Sequence, residues 1–484
     1  MIDLATATAI DAVTALHSGE LGSEELLDAQ LARVDRFNPT INAVVARDVD
    51  RARARAREAD EAQAAGRSWG PLHGLPITVK DSYETEGLVT TSGAPELANH
   101  VPTEDADAVA RLKAAGAIVF GKTNLPLYAG DMQTYNEVYG VTNNPWDVSR
   151  APGGSSGGAA AALATGMTLL ELGSDIGGSI RNPSHYCGVF GHKPTWGAVS
   201  DRGHIPGPPG TLSTVDLNVA GPMGRSVADL ELGLEVLVGE VLGVPGGHLA
   251  EVRPDLRSVA DLRVGLWLDD PFVPTDAAVL HLLEAAAIAL EGAGATVRID
   301  VRPTTTLEEL TFIYLQLLLG VVGVSYPDDV RAFMGEVAAA APAGDRSMAT
   351  AMALGISQSH AAWMRVNERR VKVQREWRRL FEQVDVMLTP VTPVAAIPHD
   401  NERPLDQRTV VVNGEPRDYL CQIVWAGVAT MPLLPATAVP VGFTDGGLPV
   451  GLQVMGDRYR DRVTLRVAGW LEELLGGFVA PPGC

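Results

Sequence analysis

Cysteine is scarce in this chain: Cys187, Cys421 and Cys484 are the only three, and no two of them stand at C-x-x-C or other metal-type spacing. So wide a scatter of an odd number of thiols excludes a disulfide scaffold and points to a reducing compartment. Cys187 reads as a small buried hydrophobe, with a catalytic thiol as the alternative. Basic residues are in deficit, 38 Lys and Arg against 59 Asp and Glu, for a formal net charge of −21. That balance opposes nucleic acid or an anionic membrane surface as a partner and favours solubility. The first residues, Met1-Ile2-Asp3-Leu4, show no basic stretch before an apolar core, so no signal peptide is expected and the location reads as cytoplasmic. The longest apolar run, 311–324, falls short of the ~20 residues of a membrane helix and reads as a core or pocket-lining helix. Low-complexity linkers and internal repeats are missing too. The Gly- and Pro-rich stretches 203–210 and 243–247 read as surface loops.

What is present alternates between helix and strand. Residues 1–65 read as a helical region packed on the core, with Ser23 as an N-cap, Glu24 and Glu25 in the first turn, and Leu27, Leu31 and Val34 on one face. Residues 51–67 read as an exposed charged helix. From Pro76 onward, strands are expected at 77–79, 117–120 and 169–172, with helices at 106–115 and 158–165 between them. Such alternation argues for an α/β sheet with helices on its faces. Residues 238–382 read as mostly helical, with helices at 276–292 and 359–381. Strand character returns at 384–388 and 436–441, and a helix is expected at 465–475.

Three fragments carry chemistry: Pro76-Ile77-Thr78-Val79-Lys80-Asp81, then Gly153-Gly154-Ser155-Ser156-Gly157-Gly158, then Asp175-Ile176-Gly177-Gly178-Ser179-Ile180-Arg181. A serine hydroxyl attacks only when a base removes its proton, and Ser179 is the candidate nucleophile. The glycines before it let several backbone N–H groups converge on one point. Such a nest stabilises a developing oxyanion by roughly 3 kcal/mol. Lys80 is the candidate base. A solvated lysine, with a pKa near ~10.4, is already protonated at neutral pH. Burial, which the flanking Ile77 and Val79 suggest, lowers that value, and three units correspond to about 4 kcal/mol. Ser155 bridges Lys80 to Ser179, whereas Asp81, next along a strand, points to the opposite face. Alone, each fragment has a plainer reading: an anion-binding or flexible glycine loop, a turn, a surface lysine.

Together, in this order, the fragments resemble the amidase signature family. The likeness extends to Gly74-Leu75 before the lysine segment, Gly121-Lys122-Thr123-Asn124, Asn144-Pro145-Trp146, Cys187-Gly188-Val189-Phe190-Gly191-His192-Lys193-Pro194-Thr195, Asp385-Val386-Met387-Leu388-Thr389-Pro390, Pro440-Val441-Gly442, and Gly447-Leu448-Pro449-Val450-Gly451-Leu452-Gln453. It is dense over 71–225 and absent over 242–383. The resemblance implies one α/β/α sandwich with a large mixed central sheet: a single domain with core 71–225, a variable helical segment 242–383 and a C-terminal part 384–484. It also implies Ser179 as nucleophile, Ser155 as a bridging serine held by a cis peptide, Lys80 as general base, and an oxyanion hole of the N–H groups of Ile176, Gly177, Gly178 and Ser179. The chemistry implied is amide hydrolysis through an acyl-enzyme, with no metal or cofactor, by a monomer or homodimer. The chain departs from the family pattern at Ser184-His185, at His192 and at Trp196-Gly197-Ala198, which unsettles any transfer of substrate specificity.

Ala129, Gly130, Asp131, Met132 and Gln133 are expected to line the acyl pocket, with Ser156 and Arg181 as further substrate contacts. For Arg181 a structural ion pair is the favoured reading over substrate contact, Asp175 reads as a brace for its loop, and His185 lines the pocket or, as the favoured reading, sits satisfied in the core. The apolar character of 307–326 points to a hydrophobic acyl or aryl amide, with esters and carbamates as other small-molecule substrates. Two rivals remain open: an α/β-hydrolase using Ser155 or Ser156 in a G-x-S-x-G elbow, and the catalytic component of a tRNA-dependent amidotransferase.

Overall fold

Strand Pro76–Lys80 is buried along its whole length, with Ile77 and Val79 entering the largest hydrophobic cluster. It lies third in an eleven-stranded mixed sheet. In spatial order the strands are Val44–Arg47, Ile118–Thr123, Pro76–Lys80, Glu171–Asp175, Val219–Gly224, Phe190–Lys193, Ala436–Phe443, Pro449–Met455, Val386–Pro390, Arg263–Leu266 and Thr296–Arg298. Ile118–Thr123, Pro76–Lys80 and Glu171–Asp175 run parallel, so their carboxyl ends share one edge, where open α/β sheets place ligands. This computed structural model describes residues 2–205, 208–239, 249–250 and 255–484, so the loop expected at 243–247 lies outside the described residues.

Helices cover both faces, as the sandwich requires. Ala9–Ser18, Asp107–Ala114, Val227–Leu237, Ala277–Gly292 and Asp461–Leu475 pack on one side, onto Ile77, Leu172, Leu388 and Val439. On the other, Leu307–Val322, His360–Leu380 and Val424–Thr430 enclose Trp377 and Trp425 against Met387 and Met455. The alternation of Met387 with Val386 and Leu388 between the two cores is the period-two pattern of a strand buried on both faces. Helix Gly157–Thr165 is buried at all nine residues, because glycine and alanine let it press against its neighbours. A Cβ on Gly158 would lie 2.4 Å from the Asn124 backbone nitrogen.

Two expectations are corrected and one is refined. Residues 1–65 contribute an edge strand, Val44–Arg47, which is too short for its alternation to stand out in the sequence. The 242–383 segment, mostly helical among its described residues as expected, also contributes strands Arg263–Leu266 and Thr296–Arg298. Ser23 is the first helical residue rather than the cap; its hydroxyl donates to Gly74 O at 2.6 Å. The cap comes from another helix, where the Asp60 carboxylate accepts the N–H groups of Ser23 and Glu24. The apolar run does form a helix, Leu307–Val322, mostly buried in the second core. With the turn after it, 307–325 is long enough to cross a membrane, yet its burial is that of a core helix.

Candidate active site

Lys80 ends its strand at the carboxyl edge of the sheet and is fully buried. Its Nζ lies 2.7 Å from Ser155 Oγ and 2.9 Å from Ser174 Oγ. Burial drives its pKa down to about 7, although the carboxyls of Asp175 and Glu171 pull the other way. Glu171, itself buried and bonded by Thr123, is pushed up to about 7, so it opposes that fall only weakly near neutrality. Asp81 stands apart from Lys80. Its carboxylate accepts from Thr91, and it interacts with the buried ammonium of Lys122.

The two serine loops are joined by backbone. Gly154–Ser155 is a cis peptide, Gly154 N–H donates to Asn182 Oδ1 at 3.2 Å, and Ser156 N–H donates to Ser179 O at 3.1 Å. Residues 151–156 are loop, so the strand that a nucleophile elbow needs is missing and the α/β-hydrolase reading falls. Asp175 shapes the turn that carries Ser179. Its carboxylate accepts N–H groups from Gly178 at 3.0 Å and Ile180 at 3.1 Å, and pairs in two-pronged fashion with Arg181 at 2.8 and 3.0 Å. Burial would raise the Asp175 carboxyl, but Arg181 outweighs it and holds the pKa down at about 2. Gly178, at φ +100°, occupies a conformation that a side chain would strain.

Of the four N–H groups expected to form an oxyanion hole, one already has a protein acceptor. Gly178 N–H is spent on Asp175, while among the described residues the N–H groups of Ile176, Gly177 and Ser179 go to no protein acceptor. Around the missing side chain of Gly177 stand Tyr314 Oη at 3.6 Å, Ile423 Cγ2 at 3.8 Å and Met132 Cε at 3.9 Å. Tyr314, from helix Leu307–Val322, also donates to Ile176 O at 2.8 Å. The sequence flagged that helix as a cap but did not single out Tyr314 or Ile423.

Most expected substrate contacts are otherwise engaged. Arg181 commits all five guanidinium hydrogens, to Asp175, Ala426 O, Thr430 and Gln453, and is a structural pivot with none left for a ligand. The Ser156 hydroxyl turns to Ser174 O at 3.4 Å, toward the sheet. Asp131 is clasped by Arg408 at 2.6 Å and Tyr419 at 2.6 Å, the residues flanking the hairpin of strands Thr409–Val412 and Glu415–Asp418. Gln133 gives its side-chain amide to both the C=O and the N–H of Asp400, at 3.1 and 2.8 Å. Gly130 is exposed and Ala129 half-buried, so of the loop 129–133 only Met132 reaches the nest. His185 is a satisfied core histidine: its Nδ1 accepts Gly451 N–H at 2.8 Å and its Nε2 lies 3.1 Å from Val394 O. Reading from sequence missed Ser174 and His204. The His204 Nε2 lies 2.9 Å from Ser174 Oγ; Ser174 falls one residue before the fragment 175–181, and no motif surrounds His204. Among the described residues, no group of three His, Cys, Asp or Glu side chains is arranged to hold a metal ion.

A family model described as Amidase matches residues 25–465. A glutamyl-tRNA(Gln) amidotransferase component from Roseiflexus sp. (strain RS-1) is 36% identical over 489 residues, covering 95% of this chain and 94% of that one. Among solved structures, a chain from a vestigial protein complex bearing on the origins of an s-triazine catabolic enzyme superposes with a TM-score of 0.81 at 30% identity, over 99% of this chain and 100% of the other. The 6-aminohexanoate cyclic dimer hydrolase superposes with a TM-score of 0.79 at 26% identity, over 100% and 99%.

Proposed function

The chain belongs to the amidase family and acts on C–N amide bonds, and from that premise we propose that it hydrolyses apolar carboxylic amides through an acyl-enzyme on Ser179. The observation that carries the reading is the contact between fully buried Lys80 Nζ and Ser155 Oγ, at 2.7 Å. Neutral Lys80 takes the Ser155 proton while Ser155 takes that of Ser179, and the Ser179 oxygen bonds to the carbonyl carbon. The oxyanion rests on the N–H groups of Ile176, Gly177 and Ser179. As the C–N bond breaks, Lys80 returns its proton through Ser155 to the leaving amine. Water then attacks the ester and passes a proton through Ser155 to Lys80, and the proton returns by the same route to the Ser179 oxygen as the acid leaves.

Met132, Tyr314 and Ile423 favour a hydrophobic acyl or aryl group, with esters and aryl carbamates as further substrates. Arg181 and Asp131, the nearby charges, are already neutralised by partners, so a zwitterionic amino-acid amide gains no countercharge from either. We also propose a cytoplasmic monomer or homodimer that works without nucleic acid, in keeping with the charge of −21.

A second reading, the glutamine-hydrolysing component of a tRNA-dependent amidotransferase, has the curated relatives in its favour; they back it better than they back a hydrophobic substrate. The test is the purified chain alone, offered hydrophobic anilides, p-nitrophenyl esters, aryl carbamates and L-glutamine. Aniline release with glutamine untouched is expected. Glutamine hydrolysis alone, or activity only after partner proteins are added, would replace the first reading with the second.

A further inference from the structure

Lys80 Nζ touches two hydroxyls, and only Ser155 has a part in the proposed reaction. The other, Ser174 Oγ, lies 2.9 Å from Lys80 Nζ and 2.9 Å from His204 Nε2. His204 belongs to a loop tied down by backbone bonds: Ile205 N–H donates to Ser82 O at 2.7 Å, and Glu84 N–H to Gly203 O at 2.8 Å. One residue before Gly203, Arg202 is ion-paired with Asp107. The half-buried His204 ring meets Tyr83 edge-on, centroids 4.9 Å apart. Burial and the neighbouring Lys80 push its pKa down to about 3, so the ring is neutral wherever Lys80 titrates.

An uncharged amine has two N–H donors and one lone pair. Lys80 serves as a base only when that lone pair faces the Ser155 hydrogen. The single hydrogen of Ser174 decides the matter. If it points at Lys80 it occupies the lone pair. If another acceptor takes it, Ser174 accepts an N–H from Lys80 and the lone pair is left for Ser155. Resting on the reading of Lys80 as the base, we propose that His204 is a positioning residue that accepts the Ser174 hydrogen on Nε2 and so aims the Lys80 lone pair at Ser155. The ring proton then sits on Nδ1. Tyr83 gives its own hydrogen to Gly173 O at 2.8 Å, and its oxygen, which also faces Ser174, competes with His204 for the Ser174 hydrogen. Among the described residues, the carboxyls of Asp175 and Glu171 act on Lys80.

The test compares pH profiles of anilide kcat/KM for wild type, His204→Phe and His204→Gln, each alone and with Ser174→Ala. His204→Phe is expected to lower the maximum about 10- to 100-fold. Its acidic midpoint moves to lower pH, because the orphaned Ser174 hydrogen bonds best to uncharged Lys80. Loosened packing that admitted water would move the midpoint upward instead. His204→Gln restores a carbonyl acceptor and recovers the rate to within about threefold. In the Ser174→Ala background, His204→Phe adds nothing. An upward midpoint, a Gln variant no better than Phe, or additive effects would overturn the inference. Should the Phe variant fail to fold, His204→Asn, too short to reach Ser174, takes its place against Gln. A wild type without an acidic limb near pH 7 defeats Lys80 as base, whereas a limb present but unmoved by His204→Phe defeats this inference alone.

Discussion

On one side of Ile176, itself only partly buried, strand Glu171–Asp175, residues 177–180 and helix Arg181–Cys187 are buried throughout, with charged groups paired inside. On the other side, helix Leu307–Val322 reaches the same carbonyl through one tyrosine hydroxyl, and the neighbouring helix Asp328–Ala340 buries no residue and exposes Phe333 and Val337. In the first region, removing one partner strands a charge away from water, which costs several kcal/mol. In the second, apolar side chains meet one another or solvent, and an exchange that keeps volume and apolarity costs less than about 1.5 kcal/mol. The motifs readable in the sequence, dense over 71–225 and not seen over 242–383, follow that division, although the family match itself runs through both regions, over residues 25–465. In the proposed reaction the two regions also divide the labour: bond making and proton transfer on the packed polar side, the fit to substrate on the apolar side.

The strongest attack on this division is Ser179→Ala. It should abolish fluorophosphonate labelling and lower anilide turnover by about 10⁴-fold; turnover within about tenfold of wild type would move the chemistry elsewhere. Lys80→Ala should cost about 10³-fold on an anilide and less on a p-nitrophenyl ester, since a poor leaving amine needs the returned proton more. Equal losses on both substrates would deny Lys80 its part as acid. Arg181→Met strands the Asp175 carboxylate and should lose about 3–5 kcal/mol in urea unfolding, with an unmoved midpoint counting against the pivot.

The wild-type pH profile is a milder probe. With the Lys80 pKa lowered to about 7, the base is missing below that pH, so kcat/KM should rise about tenfold per pH unit up to there and flatten above. A midpoint near pH 4 would hand the base to a carboxylate. Tyr314→Ala should change KM for bulky acyl groups several-fold while leaving kcat for a small ester nearly intact. Phe333→Ser, on the exposed helix, should leave both melting temperature and kcat unchanged; a drop in either would blur the boundary between the regions.

The sequence carried the parts of this arrangement that are local. Lys80 and Ser155 stand in fragments whose neighbours announce them, and the contact at 2.7 Å joins two residues that the motif pattern already pairs. The small-residue helix after Ser156 and the apolar helix beginning at Leu307 were legible from composition. What escaped is set by distance along the chain. Arg181 finds Thr430 and Gln453 far downstream, Asp131 finds Arg408 and Tyr419, and Ser174 finds His204 across an unmarked loop. A polar side chain shows its type in a sequence but not its partner. Hence Asp131 and Gln133 read as ligand contacts when their side chains already had protein partners, while for Arg181 the ion pair was expected but not its partners Thr430 and Gln453. Strand Val44–Arg47 escaped because four residues at a half-exposed edge give no readable period.

The hairpin of strands Thr409–Val412 and Glu415–Asp418 is fastened at both ends. At its base, Arg408 and Tyr419 grip Asp131; at its tip, the Asn413 side chain accepts the Ala277 N–H, and its own N–H reaches Asp276. It behaves as a strut between the loop bearing Met132 and the start of helix Ala277–Gly292. A chimera that imported another hairpin by itself would take a partner from an aspartate at each end, Asp131 and Asp276, so a graft that keeps both fastenings must match three separate stretches of chain at once.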